Sequence, residues 1–445
     1  MVKLVEVDVR GMLGRFDHRV EFPADQEFVI LYGPNGIGKT KLLELIFSTF
    51  KAKFIEVDSI PFRSAEFTFS DGARLTLARL GQQSFLDDGE SLDLQVSLET
   101  ADGGKTHWKK SDGERPTGSV GRMLRTVEMR APVSRISVDE WHDLEQDDIL
   151  SGNEVIERYA SLFSEHPFRL PEKITDFLGG VGVHLIETQR LLREGAVRGR
   201  SGRPARQTRN TVEVFSEHYA ELLAETLAQN SRISQERDRM FPRKLLDAGT
   251  APKQATESSI RARYAEQNRL RARLADISIL DQTSTDLPLP RRELTDWERL
   301  VLWTYLDDSD VKLKGFQDLL TRVELFRDIV KSRFQFKQLH LGRDGFQLTG
   351  DLGNSLPVTS LSSGEQHELV LAYDLLFNVK SGSLVLIDEP EISLHVAWQQ
   401  EFMNDIARIA SAASLRFMVA THSPQIIHKW WSRSQSLAPG MGGTE

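Results

Sequence analysis

Eight residues constrain this chain more than any others: Gly33-Pro34-Asn35-Gly36-Ile37-Gly38-Lys39-Thr40. They match G-x-x-x-x-G-K-[ST] at every fixed position. A short apolar run, Phe28 to Leu31, leads into them, and the pattern KLLELIFSTF follows. The loop is therefore expected to join a buried strand to a helix. Glycines let backbone N–H groups turn inward around phosphate oxygens. The helix that follows points its positive end at the same anion. Gly33, Asn35, Gly36, Ile37 and Gly38 are the expected cradle. Lys39 is placed to bridge β- and γ-phosphates, and the Thr40 hydroxyl to ligate Mg²⁺.

Such a site needs a second half, and it lies far downstream. Ser383 to Ile387 reads as a continuous apolar strand, ending in Asp388-Glu389-Pro390-Glu391. A carboxylate at the end of a buried strand is costly unless a cation or donors meet it. Asp388 fits the role of holding Mg²⁺. Glu389 fits a general base that orients the attacking water. Before this strand comes Leu361-Ser362-Ser363-Gly364-Glu365-Gln366, leading into a helical pattern. After it comes a second apolar strand, Phe417 to Ala420, then Thr421-His422-Ser423-Pro424.

In this order the motifs resemble those of ABC-type ATPases, in the SMC-like form with Glu at the last signature position. Ser363 stands where the family has the first of two glycines. The resemblance implies an α/β fold: an ABC-type P-loop head, a mixed sheet with an antiparallel β-subdomain, and an inserted helical domain. It implies ATP and Mg²⁺ as cofactors, with Lys39, Glu389 and His422 catalytic and His422 touching the γ-phosphate. Gln189, in Glu187-Thr188-Gln189-Arg190, stands where the family's Q-loop glutamine would join Thr40 and Asp388 on the metal. Ser362, Ser363, Gly364 and Glu365 would face the ATP of a second copy, in a head-to-tail dimer that encloses two nucleotides. Ile392-Ser393-Leu394-His395 takes the D-loop position, where His395 could equally be a packing residue.

Longer strings look like the bacterial OLD-like, non-transporter ABC ATPases, several of which serve anti-phage defence: HLIETQRL, SSGEQHELVL, LIDEPEISLHVAWQQ and ATHSPQII. Within that group the ATPase of PARIS-type systems is nearest and the Septu ATPase second. Those proteins act through a separate effector. The partners this implies are a second copy, a nuclease-like effector protein and a phage trigger protein. A RecF/SMC-like DNA-repair or DNA-clamping ATPase is the alternative. The large insertion and the SMC-like signature speak against a transporter motor.

The 445 residues leave room for that insertion. Residues 1–190 are expected to form the first part of the head, 191–332 the helical insertion, 333–432 the rest of the head and 433–445 a flexible tail. Asp71-Gly72 and Asp102-Gly103-Gly104 mark two hairpins of the β-subdomain. Residues 211–246 and 256–276 suggest a helical hairpin, broken near Pro242 and Gly249-Thr250-Ala251-Pro252, with a third helical stretch over 292–332. Strands are expected again at 334–341 and 346–348. Asp308-Ser309-Asp310 reads as a solvated acidic turn.

Residues 190–209 carry seven arginines and one acid, and read as a flexible loop. They offer a place for nucleic acid. No aromatic residues are interleaved for base stacking, so a solvated loop is favoured. The net charge of −9 excludes a general basic coat. With no cysteine, thiol chemistry and disulfides are impossible. No apolar run reaches membrane length and no signal-peptide pattern appears, so a cytoplasmic protein without membrane contact is expected. Too few residues follow His422 for a Toprim-type nuclease, so ATP turnover is the expected chemistry and any nuclease is sought on another chain.

Overall fold

A computed structural model describes residues 2–80, 93–110, 124–135, 140–145, 148–159, 162, 170–186, 192–198, 204–280 and 289–437. The chain forms two compact units. One comprises residues 1–209 and 378–445, the other 210–377.

The first unit holds a five-stranded parallel sheet. Its strand order is Val183–Ile186, Leu384–Asp388, Arg416–Thr421, Phe28–Tyr32 and Ser434–Ser436. The central three strands are apolar runs, as strands covered on both faces must be. A separate antiparallel sheet of six strands runs in the order Phe16–Glu21, Leu4–Met12, Ser64–Phe69, Arg74–Leu80, Asp93–Glu99 and Lys105–Lys109. Both expected hairpins are in it. The helix Lys39–Phe50 shares one core with both sheets. Its Leu42 and Ile46 belong to the apolar cluster that holds Phe67 and Phe69 on one side and Leu386 and Met418 on the other. Phe50 closes on Phe67 and Phe69 with edge-on ring contacts at 5.3 and 5.9 Å.

Arg416 ties strands of the two sheets together. Its guanidinium is buried and meets no carboxylate among its hydrogen-bond partners. It donates to the carbonyls of Leu4 (2.7 Å), Phe22 (2.8 Å), Pro23 (3.0 Å) and Gln26 (3.2 Å), and lies 3.6 Å from the Phe22 ring centroid. Burial pulls its pKa down to about 10, so it stays charged at neutral pH. Arg416→Ala removes a donor from all four carbonyls, of which Pro23 keeps the Gln26 N–H, and is expected to cost about 3–5 kcal/mol. Urea unfolding of the two proteins measures it. A loss under about 1 kcal/mol would show that the carbonyls find other partners.

The second unit is helical, with helices Thr211–Ala248, Glu257–Asp276, Asp296–Lys314 and Gln317–Arg333. The first does not break at Pro242 but runs through it. Proline removes one backbone donor, and the strong helix formers on either side continue the pattern. The stretch expected over 292–332 is two helices, parted at Gly315-Phe316. Asp308 is no solvated turn residue. It lies buried inside a helix and pairs with Lys244, while Asp310 pairs with Arg263 at 2.5 Å. Buried carboxylates require such partners.

The three-stranded sheet Lys337–Gly342, Gly345–Gly350 and Ser355–Leu356 completes this unit, together with the helix Ser363–Tyr373. Tyr373, fully buried, stands among Phe215 (4.6 Å), Phe377 (4.7 Å), Phe346 (5.5 Å) and Phe326 (5.7 Å). This cluster explains why the unit ends at 377 rather than at the expected 332. The helix carrying the signature packs its apolar side on the helical insertion. Gly345 turns the hairpin at φ 95°, where a Cβ would lie 2.4 Å from the Ser216 hydroxyl.

Two further expectations shift. The arginine-rich stretch forms the paired strands Leu192–Arg198 and Pro204–Asn210 rather than a loop. The expected tail at 433 starts instead with the edge strand Ser434–Ser436, fixed by Gln435 to the backbone of Glu21 and by the Leu437 N–H to the Tyr32 carbonyl. Residues 438–445 lie outside the described set. Among the described residues, no helix is long and apolar enough to cross a membrane.

Candidate nucleotide site

Parallel pairing sets the site. Ile186 pairs with Ile387, Asp388 with Ala420, and Thr421 with Tyr32. Four strands therefore end on one edge of the sheet, and the loops that follow them start side by side. Gly33 follows Tyr32, Glu389 follows Asp388 and His422 follows Thr421. The phosphate-loop motif, the acidic strand end and the histidine are thereby brought together. The fold is α/β, with a phosphate-loop motif at the carboxyl end of a parallel sheet.

The loop Gly33–Gly38 precedes the helix that starts at Lys39. Gly38 sits at φ 93°, and a Cβ there would stand 3.0 Å from the Met12 side chain. The loop is also held from below by a residue that the sequence reading passed over. His18 is buried, and its Nε2 donates to the Ile37 carbonyl at 2.7 Å. Its Nδ1 is buried with no hydrogen-bond partner among the described residues, so the proton sits on Nε2. Its only sequence signal is an inward position in the alternating strand Phe16–Glu21.

Burial pulls the His18 pKa below the ordinary histidine value, against the opposing pull of the Ile37 carbonyl and Asp17. A base with a lowered folded pKa contributes stability above its unfolded pKa and loses it as pH falls through that value. Stability is therefore expected to drop between about pH 7 and about pH 5. Thermal unfolding midpoints of the wild type and His18→Gln across that range test this. The variant's curve should be flatter, and parallel curves would contradict it.

Lys39 is 4% exposed. Its ammonium donates to the carbonyls of Gly33 (3.0 Å) and Pro34 (3.1 Å) and meets His422 Nε2 at 2.5 Å. Burial lowers its pKa, and Glu389, Asp388 and Glu391 pull it back up. His422 Nε2 also lies 3.2 Å from Glu389 Oε1. One nitrogen cannot both accept from Lys39 and donate to Glu389, so the histidine proton decides which contact holds. Glu389 itself is left-handed, at φ 44° and ψ 57°, and its N–H donates to the Ala420 carbonyl at 2.9 Å. Pro390 at the next position helps pull the chain off the strand axis.

Asp388 is the candidate metal ligand at the strand end. Burial, and then the charge of Glu389, push its carboxyl upward, while the Thr40 hydroxyl and Lys39 oppose them. Its Oδ1 is buried with no hydrogen-bond partner among the described residues. Such an oxygen beside a threonine hydroxyl fits Mg²⁺, which takes one or two protein ligands and completes its shell with phosphate and water. Among the described residues no cluster of three His, Asp or Glu side chains forms an all-protein metal site. A cleft of about 480 Å³ opens beside Thr40 and Asp388, with Leu43, Phe47 and Ile186 on its walls. Gln189, the third expected ligand, lies outside the described residues.

Ser362, Ser363, Gly364 and Glu365 belong to the second unit. Ser362 and Ser363 are exposed at the start of the helix Ser363–Tyr373. Glu365 turns back instead. Its Oε2 accepts from the Ser362 N–H (2.7 Å) and from Lys337 (2.8 Å), a capping box with an added ion pair. Burial alone would raise its pKa, but Lys337 and Ser362 together hold it below the ordinary glutamate value. Glu365 therefore shapes the helix start that presents the two serines.

Residues 207–428 match the family described as "AAA domain, putative AbiEii toxin, Type IV TA system". That span takes in the signature, Asp388, Glu389 and His422. No curated protein matches the sequence. Among solved structures, the chain is similar to the Smc head domain of Pyrococcus furiosus with an extended coiled coil, bound to the C-terminal domain of ScpA, at 13% identity over 96% of this chain and 91% of that one, with a TM-score of 0.33. The Smc head of Pyrococcus yayanosii with a coiled coil and joint gives 12% identity, 96% and 93% coverage and a TM-score of 0.31. The SMC head of Thermotoga maritima gives 11%, 96% and 91%, and 0.30. The chemistry of the site rests on the register and contacts described above.

Proposed function

We propose that this chain binds ATP with Mg²⁺ and hydrolyses it, as a head that pairs with a second copy and holds or releases a separate effector protein in bacterial anti-phage defence. The carrying observation is the meeting of Lys39, Asp388, Glu389 and His422 on one sheet edge. Lys39 and the N–H groups of residues 33–40 bind the phosphates. Thr40 and Asp388 hold Mg²⁺, which when bound neutralises phosphate charge. Glu389 orients water and takes its proton as the oxygen attacks the γ-phosphorus and the bond to the β–γ bridging oxygen breaks. His422 donates toward the γ-phosphate and steadies its charge.

The exposed Ser362 and Ser363 support the pairing with a second copy. The family match and the resemblance to OLD-like ATPases support the defence role. PARIS-type systems are the nearest in kind and Septu second. Two measurements test the reading: Mg²⁺-dependent phosphate release by the purified protein, and co-purification of the product of a neighbouring gene. No phosphate release would overturn the ATPase reading. A permease as the neighbouring product would overturn the defence role.

A second reading, DNA clamping, draws on the arginine-rich paired strands 192–198 and 204–210. DNA that stimulates turnover and is lost steeply with added salt would favour it.

A further inference from the structure

We infer that Glu391 is the positioning residue for His422. The inference rests on the ATPase reading above. One carboxylate oxygen, Glu391 Oε1, accepts from the Thr421 hydroxyl (2.8 Å), the His422 N–H (2.7 Å) and the Ser423 N–H (3.1 Å). Three donors on one charged oxygen fix the backbone on both sides of the histidine. The other oxygen is buried and has no hydrogen-bond partner among the described residues, so the carboxylate is committed to this loop.

The contacts close into a ring. Ser423 donates its hydroxyl to Gln399 Oε1 (2.9 Å), and Gln399 Nε2 reaches the carbonyls of Glu391 and Leu394, each at 3.4 Å. Glu391 sits in the short turn Pro390–Ser393, and the helix from Val396 follows it. Through this ring Glu391 sets the amide of His422, whose imidazole meets Lys39 and Glu389.

The test uses the full chain as wild type, Glu391→Ala, Glu391→Gln, His422→Ala and the double variant Glu391→Ala/His422→Ala. Hydrogen exchange of the 421–423 amides, without nucleotide, reads the clasp itself. It should speed up about tenfold or more in Glu391→Ala, and much less in Glu391→Gln, whose amide oxygen still accepts. Steady-state hydrolysis reads its effect on the site. For Glu391→Ala, kcat should fall on the order of 100-fold, as displaced catalytic groups do, with KM changed less than about threefold. Because Glu391 acts through His422, the double variant should be no slower than His422→Ala.

Wild-type kcat in Glu391→Ala, or single losses that multiply in the double variant, would overturn the inference. So would unchanged exchange. If the wild type releases no phosphate, the ATPase reading fails while the exchange arm still decides the clasp. If Glu391→Ala does not fold, Gln399→Ala opens the same ring. Its kcat should fall about tenfold, and not at all in the His422→Ala background.

Discussion

Lys39→Ala is expected to abolish ATP binding at ordinary concentrations. The ammonium is nearly enclosed, and it closes the loop on itself by donating to the carbonyls of Gly33 and Pro34. The same donors are the ones that turn to phosphate oxygens when a triphosphate enters. Charged hydrogen bonds of this kind contribute about 1.5–3 kcal/mol each. Losing two weakens affinity by a factor on the order of several hundred. The negative charges of Asp388, Glu389 and Glu391, which act on Lys39, would then lack their counter-charge, which adds to the loss. Titration calorimetry with Mg-ATP checks this. A dissociation constant within about tenfold of wild type would mean that residues 33–40 do not cradle phosphate.

Glu389→Gln has the opposite profile. It should bind ATP, hydrolyse it about 100- to 1000-fold more slowly, and accumulate as an ATP-bound dimer. Glutamine keeps the shape of the side chain and the backbone bond to Ala420. It cannot take a proton from water. Binding, which depends on Lys39 and the loop amides, is untouched, so the nucleotide-joined state persists. Phosphate release and light scattering read the two halves separately. Wild-type turnover would remove Glu389 as the base, and slow turnover by a protein that stays monomeric would remove the ATP-joined dimer.

Most of the candidate site was legible because its parts are local. The glycine loop, the apolar runs and the acidic strand end each declare themselves within ten residues. Register then did the assembly, and parallel strands of matched length leave little choice of edge. The hairpins at Asp71-Gly72 and Asp102-Gly103-Gly104 were readable for the same reason. What escaped was decided at long range. Glu391 was visible as a fourth acidic-end residue, but nothing nearby says that it turns toward Thr421. His18 is an ordinary inward histidine until Ile37 is laid over it. The signature helix belongs with the insertion because Tyr373 finds Phe215 and Phe326, residues far away in sequence. Pro242 was read as a stop, which holds for a lone helix better than for one with long, well-formed arms.

Glu389 adopts a backbone shape that glycine takes freely and a glutamate takes at a cost of about 1–2 kcal/mol. A glycine at that point would ease folding and remove the carboxylate proposed as the base. Selection for a sturdier protein and selection for a working one thus pull on this residue in opposite directions. A library randomised at position 389 and sorted for thermal endurance alone would discard the glutamate first.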